Sequence, residues 1–348
     1  MTKRKLLSAM LIAMATPCVM HIAQAADAFP FKAFDTHTHL ISDDTKKYPR
    51  VAATPASGPA SGMGTDTMGA AMPGAGMNAA PSAANFTPVA SANASPQADR
   101  LLSWWTEHGV EAGAAVQKRG TYGYDNSYIL DSADQNKTRL APVVVLDAQD
   151  VKTPAYLREI IKSHGVAGVR LTGNPADDGS FPWLNSEQAL KTWQVANDAG
   201  LVVDLMNVPP GKSPAIITEY IKLAQRFPKV RMVLDHVAWP DVKGAPDYGI
   251  DAIHQALAKQ KNIYYKFTTI NIDLLDEGKI APAEFLRRVV DVYGADHVMW
   301  GSDIGNSAGT YDQMISRAVA ASAKLTDAEK RKVFHDTGKS VFVRGGKQ

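Results

Sequence analysis

Residues 34–40 read FDTHTHL, a stretch that joins an apolar run to an aspartate and two histidines spaced two residues apart. Alternate side chains of a β-strand point to the same side, so His37 and His39 would project together from one strand end. Two imidazoles directed at one point are typical of a metal site or of a site that holds a substrate oxygen. The stretch therefore predicts a strand that ends in a functional site.

Seven further apolar runs follow this first strand, and predicted helices separate most of them. The runs are EAGAAVQ, LAPVVVLD, VAGVRLTG, LVVDLMNV, VRMVLDH, NIYYKFT and HVMWGSD. Apolar strands are expected where helices cover both faces of a parallel sheet. Eight β/α units in roughly 250 residues predict an α/β fold of the (β/α)8 TIM-barrel type, with a doubly wound sheet as the alternative.

The first 25 residues have the pattern of a secretory signal peptide. Basic residues 3–5 precede an apolar stretch of about ten residues, which is too short to span a bilayer. Residues 23–25 read AQA and fit a cleavage site. The mature protein is therefore expected in the periplasm or outside the cell, with an N-terminal anchor as the alternative. Cys18 is the only cysteine and would leave with the signal, so no thiol nucleophile is expected.

Residues 51–98 differ in composition from the rest of the chain. They consist almost entirely of Ala, Gly, Pro, Ser, Thr and Met, and Asp66 is their only charged residue. Such a segment buries too little apolar surface to offset its ordering entropy. Residues 51–98 are therefore predicted to be a disordered insert within a barrel that spans residues 26–348. Because the insert follows the first strand, it would emerge on the active-site face.

The overall charge narrows the class of partner. The formal net charge is +2 over 348 residues. This balance does not indicate a nucleic acid or an anionic membrane surface as partner. A small-molecule substrate is expected, no stable membrane anchor is expected, and the composition does not reveal the oligomeric state.

In a TIM barrel the active site lies at the carboxyl ends of the strands, so polar residues there are the candidate site residues. Besides the histidine pair, Arg170 lies in the fourth predicted strand. Asp235 and His236 end the sixth, and Ser302 and Asp303 end the eighth. Buried charges are costly unless they are partnered, so packing alone does not account for them.

These strand ends resemble the amidohydrolase superfamily. The resemblance is to the amidohydrolase-related branch that contains 2-pyrone-4,6-dicarboxylate lactonase and other TIM-barrel hydrolases and decarboxylases. It rests on FDTHTHL, VQKRGTYGYDNSYILD, GVAGVRL, AGLVVDLM, FPKVRMVLDHVAWP and DHVMWGSD, which span nearly the whole mature chain except the insert. The resemblance implies that His37 and His39 bind a metal or contact the substrate carbonyl. It also implies that Asp303 is the general base that activates water, and that His236 ligates metal or assists the water.

One departure from the family pattern leaves the cofactor open. The family usually has a histidine at the end of strand five, where this chain has Met206. A thioether is a poor ligand for Zn²⁺. Two alternatives follow from the resemblance. Either one divalent metal, Zn or Mn, is held by His37, His39 and Asp303, or the site is metal-independent.

A second group of residues is predicted to bind substrate. The planar guanidinium of Arg170 suits a carboxylate, and an ion pair within the barrel is its alternative role. Loops that face a TIM-barrel site commonly supply further contacts. The candidates on those loops are Arg119, Tyr48, Asn126 and Tyr122. Asp35 precedes the histidine pair and is expected either to orient an imidazole or to pair with a neighbouring strand.

The leading hypothesis is a hydrolase that acts on an ester or lactone, carboxylated if Arg170 is a clamp, by Asp-activated water. A lactone is favoured over an amide by the resemblance and because an ester-like carbonyl needs less Lewis-acid assistance. One alternative is a metal-dependent, non-oxidative decarboxylase of the same family. The other is a non-catalytic periplasmic barrel that binds a ligand.

Overall fold

The computed structural model describes residue 29 and residues 31–51, 95–208 and 210–343. The predicted signal peptide and most of the predicted insert lie outside the described residues, so both stay predictions. Residues 95–97, at the end of the predicted insert, are bonded to the barrel mouth. Ile41 N donates to Pro96 O at 3.1 Å, for example. No helix in these ranges is long and apolar enough to cross a membrane.

Eight parallel strands form one sheet in which each strand pairs with the next along the chain. Thr38 also pairs with Ile304, directly after the last strand, and this bridge brings the first and last strands together. The predicted (β/α)8 TIM barrel is confirmed. The strands are β1 (Ala33–His39), β2 (Val110–Val116), β3 (Leu140–Val145), β4 (Gly168–Gly173), β5 (Val202–Asn207), β6 (Arg231–Leu234), β7 (Ile263–Thr268) and β8 (Val298–Gly301).

Helices cover the outside of the barrel and close its lower end. The helices are α1 (Ala98–Glu107), α2 (Arg119–Tyr122), α3 (Ser127–Gln135), α4 (Thr153–His164), α5 (Pro182–Asn185), α6 (Glu187–Ala199), α7 (Pro214–Arg226), α8 (Ala252–Leu257), α9 (Thr269–Glu277), α10 (Pro282–Tyr293), α11 (Tyr311–Ala321), α12 (Asp327–Arg331) and α13 (Thr337–Phe342). The sequence pattern did not predict α9. Its start, TINI, continues the β-branched pattern of β7, and a capping box between Thr268 and Asn271 begins the helix instead.

The lumen of the barrel is filled in layers because alternate residues of each strand point inward. The bottom layer is an apolar cluster drawn from six strands and from α13. We call it the lower lumen and define it as Phe34, Val143, Val202, Val233, Met299 and Phe342. The rings of Phe34 and Phe342 stack with their centroids 6.4 Å apart. The end of α13 therefore seals the barrel from below.

A bulge in β1 decides where the histidine pair points. The pairing of β1 with β2 slips by one residue between Asp35 and Thr38. Without this slip, alternation from the inward-facing Phe34 would turn His37 out of the barrel. The bulge brings both His37 and His39 into the lumen, above the apolar layer.

The sixth strand ends earlier than its sequence pattern predicts. The predicted strand ran through Asp235 and His236, but β6 ends at Leu234. Residues 236–239 all have a positive φ, between 52° and 58°. A left-handed backbone costs an L-residue roughly 1–2 kcal/mol, so neighbouring contacts must hold this turn. Asn271 Nδ2 donates to His236 O at 2.9 Å and is one such contact.

Candidate active site

Three side chains meet at the carboxyl end of β1 and β8. His37 Nε2 and His39 Nε2 lie 3.2 Å apart. Asp303 Oδ1 lies 3.3 Å from His37 Nε2 and 3.6 Å from His39 Nε2. All three side chains are fully buried. The sequence-predicted pair and the predicted base are therefore brought together; together with His236 they are called the mouth site below.

The partners of His39 determine which of its nitrogens carries the proton. His39 Nδ1 lies 3.0 Å from Val116 O, and a carbonyl oxygen only accepts. The Nδ1 atom must therefore carry the proton, which leaves a lone pair on Nε2. Burial holds the pKa of His39 well below its ordinary value, so this ring is neutral. The proton in the contact between the two Nε2 atoms accordingly comes from His37.

Asp303 is held as a carboxylate. Burial alone would raise its pKa, but the hydrogen bond with His37 outweighs burial and lowers the pKa of Asp303. Its backbone is fixed in the left-handed region at φ 58°. Asp303 N donates to His37 O at 2.8 Å, and Ser307 Oγ donates to Asp303 Oδ2 at 2.8 Å. One carboxylate oxygen is thus occupied by Ser307 and the other faces the two imidazoles.

His236 is placed beside this group by the left-handed turn after β6. Its ring centroid is 5.5 Å from that of His37. His236 Nδ1 lies 2.7 Å from Thr268 Oγ1, and this hydroxyl lies 3.4 Å from Asn271 Oδ1. In the tautomer in which Nδ1 donates to the hydroxyl, His236 Nε2 keeps a lone pair. Burial lowers the pKa of His236 to about 3, so the ring is neutral.

A layer of four charged side chains lies in the lumen between the mouth site and the lower lumen. We call Arg170, Asp204, Asp235 and Lys266 the charged layer. Lys266 Nζ lies 2.7 Å from Asp204 Oδ2 and 3.1 Å from Asp235 Oδ1. Arg170 Nη2 donates to Asp235 Oδ2 at 2.5 Å. Burial would raise the pKa of Asp235, but Lys266 and Arg170 hold it well below its usual value.

The sequence reasoning missed Lys266 and Asp204. Both lie in the middle of apolar strands, at the inward positions of IYYKFT and VVDLM. Lysine and aspartate are almost never fully buried unless they are paired. An isolated charge in each of two strands that both lead to the site was the signal that could have found them.

The predicted substrate-binding residues have other contacts in this structure. Arg170 is engaged with Asp235, which is the ion-pair alternative. Asn126 Nδ2 donates to Val145 O at 3.0 Å, and Val145 N donates back to Asn126 Oδ1 at 2.8 Å. Tyr48 OH donates to Asp131 Oδ2 at 2.8 Å on α3. Their substrate-binding roles stay predictions.

Three further candidates also make contacts outside the mouth site. The guanidinium of Arg119 lies over the ring of Tyr124, 5.2 Å from its centroid. Ser42 N donates to Tyr122 OH at 2.7 Å. Asp35 accepts hydrogen bonds from Ser302 N and Tyr311 OH, both at 2.9 Å. It is therefore the strand-pairing alternative for Asp35 that the structure shows.

The mouth site has the donor atoms and the spacing for one divalent metal ion. His37, His39 and Asp303 each offer one ligand atom, and His37, Asp235 and His236 form a second, overlapping group. Ligand atoms that each bind a metal at about 2.1 Å lie about 3.0–3.4 Å apart in octahedral or tetrahedral geometry. The observed spacings of 3.2, 3.3 and 3.6 Å are close to this range. Imidazole and carboxylate donors suit Zn²⁺ or Mn²⁺.

A cleft of about 250 Å³ lies between the loops that follow β4, β5 and β6, on the same face as the mouth site. Phe181, Val208 and Ile216 form apolar walls, and Lys212 and Asp241 add charged groups. A cleft that combines an apolar wall with a few polar groups is typical of small-molecule sites.

Comparisons with known proteins identify relatives of this barrel. The family model described as Amidohydrolase matches residues 34–342. The chain is 27% identical over 200 residues to an L-fucono-1,5-lactonase of Burkholderia ambifaria. That match covers 56% of this chain and 65% of the relative, which is just under two thirds of its length.

Solved structures share the fold over most of the chain. A putative 2-pyrone-4,6-dicarboxylic acid hydrolase from Pseudomonas putida has a TM-score of 0.62 at 21% identity, covering 90% of this chain and 97% of that one. An amidohydrolase from Burkholderia multivorans with bound zinc has a TM-score of 0.60 at 16% identity, covering 89% and 99%. At these identities the likeness shows the barrel fold.

Proposed function

This chain belongs to the amidohydrolase family, and we propose that within that family it hydrolyses a lactone. The observation that carries the proposal is the meeting of an ionised carboxylate with two imidazole Nε2 atoms, 3.3 and 3.6 Å from it, at the carboxyl ends of the barrel strands. A base, a hydrogen-bond donor and a neutral imidazole in one group are what water attack on an ester carbonyl requires.

Asp303 takes a proton from water, and the resulting hydroxide attacks the lactone carbonyl carbon. His37 Nε2–H donates to the carbonyl oxygen as it becomes an oxyanion. The lone pair on His236 Nε2 accepts a hydrogen bond from the water and orients it. When the tetrahedral intermediate collapses, the ring C–O bond breaks and Asp303 returns its proton to the leaving alkoxide. The product is the open-chain hydroxy acid, so atoms and charge balance.

The lowered pKa of Asp303 is compatible with this role. The hydrogen bond with His37 lowers the pKa of Asp303 against the opposing effect of burial. When the His37 hydrogen bond moves to the substrate oxygen, Asp303 loses that stabilisation of its charged form. Its basicity then rises at the stage where water must be deprotonated.

A divalent metal at this site would be held by His37, His39 and Asp303, and it would supply Lewis-acid polarisation of the carbonyl. The steps assigned to water orientation by His236 and to proton return by Asp303 belong to the chain itself. Metal content is therefore measured separately from turnover.

The substrate class is a lactone, with or without a carboxylate. Arg170 is bonded to Asp235, so a guanidinium clamp for a substrate carboxylate would require this pair to open. The names of two similar proteins suggest one candidate substrate without a carboxylate and one with carboxylates. One is named for a sugar 1,5-lactone and the other for a dicarboxylated pyrone.

The experiment is a panel of six-membered lactones that contains aldono-1,5-lactones and 2-pyrone-4,6-dicarboxylate. Hydrolysis releases one proton per turnover, which a pH-stat measures, and chromatography identifies the hydroxy acid. Each substrate is tested with chelator and with added Zn²⁺ or Mn²⁺. Turnover of either lactone class supports the proposal. Release of CO₂ from hydroxybenzoates without lactone turnover would favour the decarboxylase alternative, and saturable binding without product would favour the binding barrel.

A further inference from the structure

Lys266 is a fully buried lysine in the middle of β7, and its ammonium group has polar neighbours in β1, in β5 and directly after β6. Lys266 Nζ lies 2.7 Å from Asp204 Oδ2, 3.0 Å from His37 Nδ1 and 3.1 Å from Asp235 Oδ1. An ammonium has three protons and accepts no hydrogen bond. Asp204 and Asp235 already contact this ammonium, so the bond to His37 is an additional contact.

The bond from Lys266 gives a direction to the hydrogen bonds of both imidazoles. Lys266 Nζ can only donate, so His37 Nδ1 accepts and the proton of the neutral ring lies on Nε2. His37 Nε2–H is then shared between His39 Nε2 and Asp303 Oδ1, 3.2 and 3.3 Å away, and His39 Nδ1 donates to Val116 O. A single chain of donors thus runs from Lys266 through His37 and His39 to a backbone carbonyl.

The proton of His37 could instead lie on Nδ1 and be donated to Asp235, but the distances favour this arrangement less. Asp235 Oδ1 lies 3.2 Å from His37 Nδ1 and could accept a proton from it. This distance is longer than the 3.0 Å between Lys266 Nζ and His37 Nδ1. The contact between Lys266 and His37 Nδ1 does have hydrogen-bond geometry. The structure therefore favours Nε2–H.

We propose that Lys266 is a positioning residue that makes His37 Nε2 a hydrogen-bond donor toward the substrate carbonyl. A carboxylate behind a histidine makes it a better base or metal ligand, because it takes the Nδ1 proton and leaves a lone pair on Nε2. A cation in the same place has the opposite effect. It holds a lone pair on Nδ1, keeps the proton on Nε2 and favours negative charge in front of the ring. The inference rests on the proposed function for its catalytic consequence.

The same arrangement weakens the binding of a metal ion to His37 Nε2. For His37 to bind a metal through Nε2, its proton must move to Nδ1, which faces the ammonium of Lys266. The charge of Lys266 also repels a divalent cation at this short range. Removing Lys266 should therefore strengthen binding of Zn²⁺ by roughly tenfold or more. The proton on His37 Nε2 and the charge of Lys266 both weaken metal binding, and the substitution removes both effects.

The first test reads the proton position directly, in protein without substrate and with chelator. Histidine ¹⁵N chemical shifts distinguish Nδ1–H from Nε2–H, and the signals of His37 are assigned from their loss in His37→Gln. The variant is Lys266→Met combined with Asp204→Asn, so that no unpaired carboxylate is left to unfold the barrel. Asp204→Asn alone is the matched control, because it removes a partner of Lys266 and keeps the bond to His37. The His37 proton should move to Nδ1 in the double variant and stay on Nε2 in the control.

The second test measures the consequences. In the double variant kcat should fall about 10- to 100-fold with KM little changed, as for other groups that orient a functional histidine. Calorimetric titration with Zn²⁺ should show tighter binding than in the control. If His37 keeps Nε2–H and Zn²⁺ binds no tighter in the folded double variant, Lys266 is only a structural ion and the inference fails. The ¹⁵N and Zn²⁺ readouts need no substrate, so failure of the proposed lactonase function would leave them interpretable.

Discussion

The lower lumen and the upper lumen, which consists of the charged layer and the mouth site, are equally buried and chemically opposite. The lower lumen packs Val202, Val233 and Phe342 in an apolar cluster. Two residues further along the chain, Asp204 in β5 and Asp235 directly after β6 belong to the charged layer. A spacing of two residues keeps the side chains on the inner face, so the change from apolar to charged follows height in the barrel.

The contrast indicates that the lower lumen stabilises the barrel, whereas the charged layer serves the mouth site. Each apolar side chain buried in the lower lumen contributes roughly 1.5–3 kcal/mol. Buried ion pairs repay little of their desolvation cost, and apolar replacements of similar volume are often as stable. The charged layer is therefore a poor means of stabilisation. Its position directly beneath His37 accounts for its presence better than stability does.

The largest expected effect is the loss of the base in the upper lumen. Asp303→Asn should reduce kcat about 10²–10⁴-fold, because the amide cannot accept the water proton. Asparagine tolerates the left-handed backbone at this position, so the fold should remain. Steady-state kinetics on the best lactone and a denaturant titration measure the two quantities. Full activity of a folded variant would exclude Asp303 as the base.

A change in the lower lumen should lower the stability of the protein more than its activity. Phe342→Ala should lower the free energy of unfolding by about 3–5 kcal/mol through loss of buried surface and a cavity. Activity per folded molecule should fall far less than in Asp303→Asn, because Phe342 contacts the charged layer only through Lys266 Nζ, 5.6 Å from its ring centroid. Phe342→Leu is the control and should cost less than about 1.5 kcal/mol. A large loss of kcat in folded Phe342→Ala would show that the two layers are coupled.

The next largest effect is a dependence of stability on pH. His236 has a folded pKa of about 3, below the unfolded value near 6.5, because it is buried. Above pH 6.5 both states are neutral and the stability is complete. As pH falls, only the unfolded chain takes up the proton, so stability is lost between pH 6.5 and 3. At pH 5 the loss from His236 amounts to about 2 kcal/mol.

The variant His236→Asn removes this titration and suits the positive φ at the position. Denaturant titrations at pH 7 and pH 5, with chelator present, should show a smaller loss of stability in the variant than in the parent. Lowered carboxylate pKa values, such as that of Asp303, act only below about pH 4, and the lowered pKa of His39 contributes equally to both proteins. Equal losses in both proteins would mean that His236 is not held neutral.

The smallest predicted effect concerns the metal. Met206 follows the inward-facing Asp204 by two residues and so points into the mouth. Met206→His should tighten Zn²⁺ binding by about tenfold, or roughly 1.4 kcal/mol, by adding an imidazole donor. Met206→Leu, which adds no donor, is the control. Calorimetry measures both, and equal affinities would place residue 206 outside ligand reach.

The strand pattern was sufficient to predict the barrel and the end of the barrel that bears the site. Eight apolar runs separated by helical segments leave few other arrangements for a parallel sheet. The pairing of His37 with His39 and their meeting with Asp303 also follow, since carboxyl ends of barrel strands converge. Substrate-binding residues on loops were harder to predict, because a loop's direction depends on contacts made far away in sequence. Tyr48, for example, bonds Asp131 on α3.

The sequence by itself determined the fold and the chemical types at the strand ends, because both depend on periodicity and on residue identity. Only the tertiary structure decided which partners those groups have. The β1 bulge turns His37 inward, and the left-handed turn after β6 places His236 beside it. The buried contact of Lys266 with His37 joins residues 229 positions apart. Proton positions and charge balance in the lumen depend on such distances, which no local pattern contains.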